Sequence, residues 1–250
     1  MRTRRWQLEL ALSLSLLAVV LYAARWIAFA TPSLHNEMLR FLVGDFAFLF
    51  VQVLLVSLVI DRMMQKRRLE EMLTKLNMVI GAFFTETGTD LLGQIARTDA
   101  RLPDIRSDLV PNTRWSDAEY AHSREAFAAH KPQIDLSACD LERLRDSLVG
   151  ERSFLIGLLG NQNLLEHETF TDLLWALTHL GEELSARASL SDLPVADALH
   201  IAGDVKRAYT LLGTEWLSYL RHLQTQYPYL FSLAMRTNPL DPQAEVTIAE

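Results

Sequence analysis

The apolar residues of this chain are concentrated in two runs that lie before residue 61. No charged residue occurs between Leu10 and Ala24, and this first run covers about residues 8–30 if Arg25 reaches the headgroup region. The second run, Phe41–Ile60, has the 20 residues that an α-helix needs to cross roughly 30 Å of hydrocarbon. The pattern therefore predicts two membrane spans, at about 8–30 and 41–60.

A short polar segment, Thr31–Arg40, connects the two runs and contains Pro32, which disfavours a continuous helix. A loop of this length places two helices side by side, so residues 1–62 are predicted to form a transmembrane hairpin. Most flanking cations lie away from this loop: Arg2, Arg4, Arg5, Arg62, Lys66, Arg67, Arg68 and Lys75. Their distribution predicts that both termini are cytoplasmic.

A cleaved signal peptide is the alternative for the first run. A basic start, an apolar stretch and the sequence Ala28-Phe29-Ala30 imitate a cleavage signature. The second run and its basic flank would still leave the C-terminal part in the cytoplasm. The single cysteine, Cys139, agrees with a reducing compartment and is predicted to be a buried structural thiol.

Beyond the second run, the spacing of apolar residues is helical. No Gly or Pro occurs from Asp61 to Ile80, which predicts a juxtamembrane helix over residues 63–87. Its apolar stripe steps by three and four residues and consists of Leu69, Met72, Leu76, Val79 and Phe83. The stripe fits either a short coiled coil or packing within a bundle, and it predicts a homo-oligomer because a monomer would leave it uncovered.

The next segment, residues 88–238, is predicted to be a cytoplasmic helical domain. Ser116 and Glu119 have the spacing of a capping box, which starts a helix there. Breaking and capping residues place helices at about residues 89–97, 115–130, 141–159, 165–188, 195–226 and 228–236. Because no segment alternates with a period of two, the predicted fold class is all-α, and residues 239–250 are predicted to be a flexible tail.

Charge restricts the partners of this domain. From residue 76 onward, 14 Lys and Arg residues stand against 25 Asp and Glu residues, a net charge of −11 that argues against nucleic acid. The basic cluster beside the second span consists of Arg62, Lys66, Arg67 and Arg68. It is predicted to contact lipid headgroups, as cations next to a span commonly do.

Polar residues of the predicted helix 165–188 suggest a metal site. Glu168, Asp172, His179 and Glu183 fall along one stripe with Trp175, and imidazole and carboxylate groups are ligands of transition metals. The Glu-x-x-His motif of carboxylate metal bundles is not met, although a second helix offers Glu215 and His222 on one face. The alternative is an acidic first turn, which suits the helix dipole, followed by a solvated face without a bound cofactor.

Asp45 lies inside the second predicted span, where a carboxylate is costly. It either pairs with Arg25 or Arg40 near the outer interface or lines an oligomeric pore together with Gln52. Gln52 is seven residues from Asp45, while the next candidate, Ser57, shares their face only loosely.

No nucleotide-binding, hydrolase or kinase motif occurs, so the sequence does not predict an enzyme. The predicted function is an oligomerising membrane scaffold that binds an unidentified protein partner. An ion channel or transport component and a metal-binding helical domain are the alternatives.

Two stretches carry a resemblance. Residues 163–177, NLLEHETFTDLLWAL, and residues 227–239, YPYLFSLAMRTNP, resemble a group of uncharacterised bacterial membrane proteins with two spans. The resemblance runs from the juxtamembrane helix to Pro239. It implies a bacterial inner-membrane setting, and it implies no activity or functional residue.

Overall fold

The computed structural model describes residues 12–21, 23, 24, 27, 34–161, 164 and 167–247, in two compact units, Met1–Glu71 and Met72–Glu250. Its helices are α1 (Leu12–Leu21), α2 (Leu34–Phe83), α3 (Thr89–Ala96), α4 (Asp117–Ala129), α5 (Leu141–Gly150), α6 (Arg152–Leu159), α7 (Glu168–Ser185), α8 (Val195–Gln226) and α9 (Pro228–Arg236). Among these residues there is no strand, only an isolated antiparallel bridge between Asp99 and Ile134. The all-α class is confirmed.

Part of α2 has the properties of a membrane span. Gly44–Arg68 is 25 residues long, has a mean hydropathy of 2.0 in its most apolar part, and buries none of that part. In the described residues it is the one helix long and apolar enough to cross a membrane, since α1 covers only ten residues. Arg25 and Ala28–Ala30 lie outside the described residues, so the two-span hairpin stays a prediction.

The N-terminal end of α2 corrects one boundary. Residues 34–40, which the sequence assigns to the loop between two spans, are helical. A helix can begin at Leu34 because no proline or glycine lies between Pro32 and residue 44. The carboxylate of Glu37 in the first turn also interacts favourably with the helix dipole.

The C-terminal end of α2 belongs to the core of the Met72–Glu250 unit. Leu76 is 3% exposed and Phe83 is fully buried, with its ring edge-on to Phe170 at a centroid distance of 5.3 Å. This part of the apolar stripe is therefore covered by its own domain rather than left for a second copy. The side chains of Leu69 and Met72 lie outside the described part.

The centre of this unit is the packing of α7 along α8. Both helices bury an apolar stripe with steps of three and four residues, as the periodicity requires. The buried positions include Phe170, Leu173, Leu177, Leu180 and Leu184 on α7, and Ile201, Val205, Leu212, Trp216 and Leu220 on α8. Helices α3, α4 and α9 pack against α8, whereas α5 and α6 pack against α7.

Helix α4 begins as predicted, whereas the prediction of a single helix over residues 141–159 is wrong. The Glu119 amide donates to the Ser116 hydroxyl, and the Glu119 carboxylate accepts from the Ser116 amide at 2.6 Å, which completes the capping box. Helix α5 ends at Gly150, and Glu151, with φ −90° and ψ 2°, separates it from α6. Gly150 explains the position of the break, because glycine has a low helix propensity.

The segment after α9 is anchored by Asn238, which is 2% exposed. Its side-chain oxygen accepts from the Trp216 indole at 3.1 Å and from the Leu240 amide at 3.2 Å. Leu240 is 1% exposed and belongs to the core, although the sequence places it in a flexible tail. A buried amide with three hydrogen bonds, the third to the Leu109 carbonyl, explains this ordered turn.

Candidate functional site

Four ionisable side chains meet where the C-terminal half of α7 lies beside the N-terminal part of α8. His179 and Glu183 are one turn apart on α7, and His200 and Asp204 are one turn apart on α8, so each pair shares a helix face. The His179 Nε2 atom is 3.8 Å from Glu183 Oε1 and 3.6 Å from Asp204 Oδ2. The His200 Nε2 atom is 3.5 Å from Glu183 Oε2 and 3.4 Å from Asp204 Oδ2. We call these four residues the His/carboxylate cluster.

Asp204 is the buried member of the cluster. Its side chain is 4% exposed, whereas the His179 and His200 side chains are 45% and 52% exposed. The Oδ2 atom, which faces both imidazole rings, accepts no hydrogen bond. A buried carboxylate oxygen without a hydrogen bond is costly, and the imidazole atoms that face this oxygen are the Nε2 atoms of His200 and His179, at 3.4 and 3.6 Å.

Two arginines border the cluster and partly neutralise it. Arg187 contacts Glu183 Oε2 through Nη1 at 2.9 Å and Asp197 Oδ2 through Nε at 2.8 Å. Hydrogen bonding to this guanidinium group lowers the pKa of Glu183 and of Asp197, which keeps both carboxylates charged. Arg207 Nη1 lies 3.4 Å from the other oxygen of Asp204.

An open cleft of about 740 Å³ adjoins the cluster, and His179 lines both. Its wall includes Trp175, whose large apolar side chain is 59% exposed. The exposed cations Lys206 and Arg207 line the same cleft. We call this space the α7–α8 cleft; it combines an aromatic surface with positive charge.

Of the four predicted metal ligands, the structure brings together only His179 and Glu183. Glu168 is exposed in the first turn of α7, and its 11-residue separation from His179 corresponds to about 16 Å along the helix. Asp172 is exposed and lines the α7–α8 cleft instead. Among the described residues, no group of three or more His, Cys, Asp or Glu side chains could hold a metal ion.

The partner residues on α8 are not the ones that the sequence suggests. Because α7 and α8 run antiparallel, Glu215 meets the opposite end of α7, where it accepts a hydrogen bond from the Thr169 hydroxyl at 2.5 Å. His222 lies against the Tyr227 ring, and burial lowers its pKa. The spacing of His200 and Asp204 is visible in the sequence, but the register that brings them to His179 is not.

The remaining predicted residues belong to the membrane region or, in the case of Cys139, precede α5. Asp45 and Gln52 are exposed on α2, while Arg25 lies outside the described residues. The four cations of the predicted headgroup cluster, Arg62, Lys66, Arg67 and Arg68, are exposed, and their contact with lipid stays a prediction. Cys139 is half-buried rather than fully buried as predicted. Burial and the neighbouring charge of Asp140 still raise the pKa of its thiol to about 11, as expected of an unreactive residue.

A second cavity, of about 760 Å³, lies between α3 and the segment after α9. Its wall contains three cations and three carboxylates: Arg97, Arg106, Arg236, Glu86, Asp90 and Asp241. Because these charges balance, the cavity shows no preference for an anion or a cation.

Comparisons with known proteins give a family and no activity. Residues 2–64 match the family described as MJ1433, N-terminal helical domain, and residues 72–236 match Uncharacterized protein MJ1433, C-terminal helical domain. A protein of Methanocaldococcus jannaschii, Uncharacterized protein MJ1433, is 38% identical over 241 residues, which cover 96% of each chain. The resemblance to an uncharacterised family is confirmed, and this relative is archaeal rather than bacterial. No solved structure matches the chain.

Proposed function

The chain belongs to the MJ1433 family of uncharacterised helical proteins, and we propose that it is a membrane-anchored protein that binds a flat anionic ligand. The anchor is Gly44–Arg68 of α2 and the binding site is the α7–α8 cleft. The proposal keeps the predicted membrane setting and the prediction of a binding role rather than a catalytic one. Homo-oligomerisation and ion conduction stay predictions.

The anchor is supported by exposure. The outward-facing side chains of Gly44–Arg68 include Phe48, Leu55 and Val59, which are 51% exposed or more. A 25-residue helix segment that exposes so many large apolar side chains is rare on a soluble monomer, but it is expected of a helix in hydrocarbon. The basic residues at the C-terminal end of this segment, Arg62 to Arg68, would then lie at the level of anionic headgroups.

The observation that carries the ligand assignment is the exposed indole of Trp175 in a cleft with two cations. An aromatic ring stacks on indole with little loss of conformational freedom, and an anionic group attached to that ring would meet Lys206 and Arg207. The domain as a whole is acidic, so this local positive charge selects a place for an anion. Asp172, on the same wall, can accept a hydrogen bond from an amino group of the ligand.

We expect AMP, in which a flat adenine ring is linked through ribose to an anionic phosphate, to bind the full-length protein in detergent, as measured by isothermal titration calorimetry. Trp175→Ala should weaken binding about tenfold, which corresponds to about 1.4 kcal/mol of lost ring contact. Lys206→Ala should weaken it too, and the loss should shrink at high salt because the contact is exposed. The matched control is Tyr229→Ala, which removes another aromatic ring, 71% exposed, from α9.

Two results would contradict the assignment of the cleft. One is that AMP does not bind the wild-type protein. The other is that Trp175→Ala and Tyr229→Ala change the affinity equally, since the indole of Trp175 would then have no specific role.

A further inference from the structure

Helix α9 has an apolar face that the helical domain does not cover. The helix buries Phe231 and Ala234. Its exposed large apolar side chains, which we call the α9 face, are Tyr229, Leu230 and Leu233. At 3.6 residues per turn these three positions lie within about 100° of the helix circumference. We propose that the α9 face rests in the headgroup region of an anionic bilayer, a contact that depends on the membrane anchor proposed in α2.

The α9 face lies at the end of the unit where α8 ends. Helix α9 begins at Pro228, two residues after Gln226, the last residue of α8. The segment before α4 reaches the same end, because the Gln224 side-chain amide donates to the Thr113 carbonyl at 3.0 Å. The next residue, Arg114, is exposed. Aromatic, aliphatic and cationic side chains therefore share this end of the unit.

The chain enters the unit from this same end. A Cβ atom added at Gly81 of α2 would lie 3.4 Å from the Tyr219 ring. Three residues later the Phe84 ring meets Trp216, which is three residues earlier on α8, at a centroid distance of 5.3 Å. Because the numbers rise along one segment and fall along the other, the two run antiparallel. The part of α2 before Gly81 therefore extends toward the C-terminal end of α8.

The connection to the candidate span is short. Four positions separate Arg68, where the span ends, from Met72, where the unit begins. Even a fully extended chain would cover only about 14 Å over these four positions. A tether of this length gives a weak contact with lipid a high effective concentration. A second copy of the chain fits less well, because three side chains fall short of the roughly 800 Å² per partner that a stable protein interface buries.

Charge favours an anionic surface. From residue 76 onward the chain carries a net charge of −11, yet no Asp or Glu occurs from Trp216 to Leu240, a stretch that contains Arg221 and Arg236. Asp117 lies beside this stretch and is paired with Arg221 at 2.8 Å. Anionic headgroups attract cations close to the membrane surface, and tyrosine is enriched at membrane–water interfaces. The α9 face and its surroundings thus match the chemistry of anionic headgroups.

The test uses the full-length protein in vesicles of phosphatidylcholine and phosphatidylglycerol whose headgroups carry a nitroxide quencher. Leu233→Cys in a Cys139→Ser background is labelled with a nitrobenzoxadiazole fluorophore. We expect about twofold quenching or more at position 233. The matched control is Val195→Cys, which places the same label at an exposed valine at the other end of α8, about 47 Å away along that helix. The label at position 195 should not be quenched.

A second variant tests whether the face itself contacts lipid. Leu230→Glu adds a carboxylate to the α9 face, so quenching at position 233 should fall about twofold or more, because an anionic surface repels this charge. Leu199→Glu, at an exposed position near the other end of α8, should leave the quenching at 233 unchanged. Equal quenching at 233 and 195, or no effect of Leu230→Glu, would overturn the inference.

The same vesicles separate this inference from the anchor on which it rests. A label at position 56, in the span, reports the anchor through nitroxides on the acyl chains. Quenching at 56 without quenching at 233 would overturn the inference and leave the anchor in place, whereas quenching at neither position would overturn both. Self-quenching at 233 that grows with the protein-to-lipid ratio, without quenching by nitroxide, would assign the α9 face to a second copy and overturn the inference.

Discussion

We expect His130→Ala to lower the free energy of unfolding of the helical domain by about 3 kcal/mol, the effect of leaving a buried carboxylate without its partner. His130 Nε2 lies 2.7 Å from Asp99 Oδ2, and the two side chains are only 4% and 0% exposed. The other oxygen of Asp99 accepts from the Arg101 and Gln133 amides, both at 3.0 Å. Truncation of the imidazole therefore isolates one carboxylate oxygen in the protein interior, where its desolvation is not compensated.

The contact also has a topological role, because it connects the turn after α3 to the segment after α4. Urea unfolding of the full-length protein, followed by tryptophan fluorescence, measures the loss. His122→Ala is the matched control, since it removes an exposed imidazole from α4 and should change stability by less than about 0.5 kcal/mol. If both variants lose the same stability, the buried pair does not stabilise this region.

The second large effect concerns the approach of α4 to α8. A Cβ atom added at Gly213 would lie 2.0 Å from Cε1 and 2.2 Å from Cζ of Phe127. The Phe127 ring is 1% exposed and packs edge-on against Tyr209 at 5.2 Å, so it has no free space to move into. Gly213→Ala should therefore destabilise the domain by about 2 kcal/mol through overpacking.

The same substitution at Gly203, ten residues earlier on α8, should have the opposite sign. No atom lies within 4 Å of an added Cβ there, so Gly203→Ala should gain about 0.5–1 kcal/mol from helix propensity. The pair separates packing from propensity within a single helix in the same unfolding assay. A stabilising Gly213→Ala would show that α4 and α8 are not packed as closely as described.

The helices that the sequence predicts well are those with strong end signals. Pro194 and Pro228 precede or open α8 and α9, and the observed bounds, Val195–Gln226 and Pro228–Arg236, agree with the predicted ones. The capping box at Ser116 locates α4 in the same way. In these cases the local sequence contains the chemistry that ends or begins a helix, so no tertiary information is needed.

The candidate site depends on information that the local sequence does not contain. The i,i+4 pairs on α7 and α8 are visible in the sequence, but which turn of α8 faces His179 follows from the packing register of two helices. The same limitation applies to Leu240. Its backbone amide donates to the Asn238 side chain, and that side chain is held by a hydrogen bond from Trp216 on α8.

The anchoring of Gly44–Arg68 in a bilayer is the central claim, and the depth of Val56 tests it most directly. Val56 and Val149 are similarly exposed valines, 56% and 47%, on α2 and α5. Each is replaced by cysteine in a Cys139→Ser background, labelled with a nitrobenzoxadiazole fluorophore, and reconstituted into vesicles whose acyl chains carry a nitroxide quencher. We predict strong quenching at position 56 and none at position 149. Equal quenching at the two positions, or none at position 56, would contradict the assignment of this helix to the membrane.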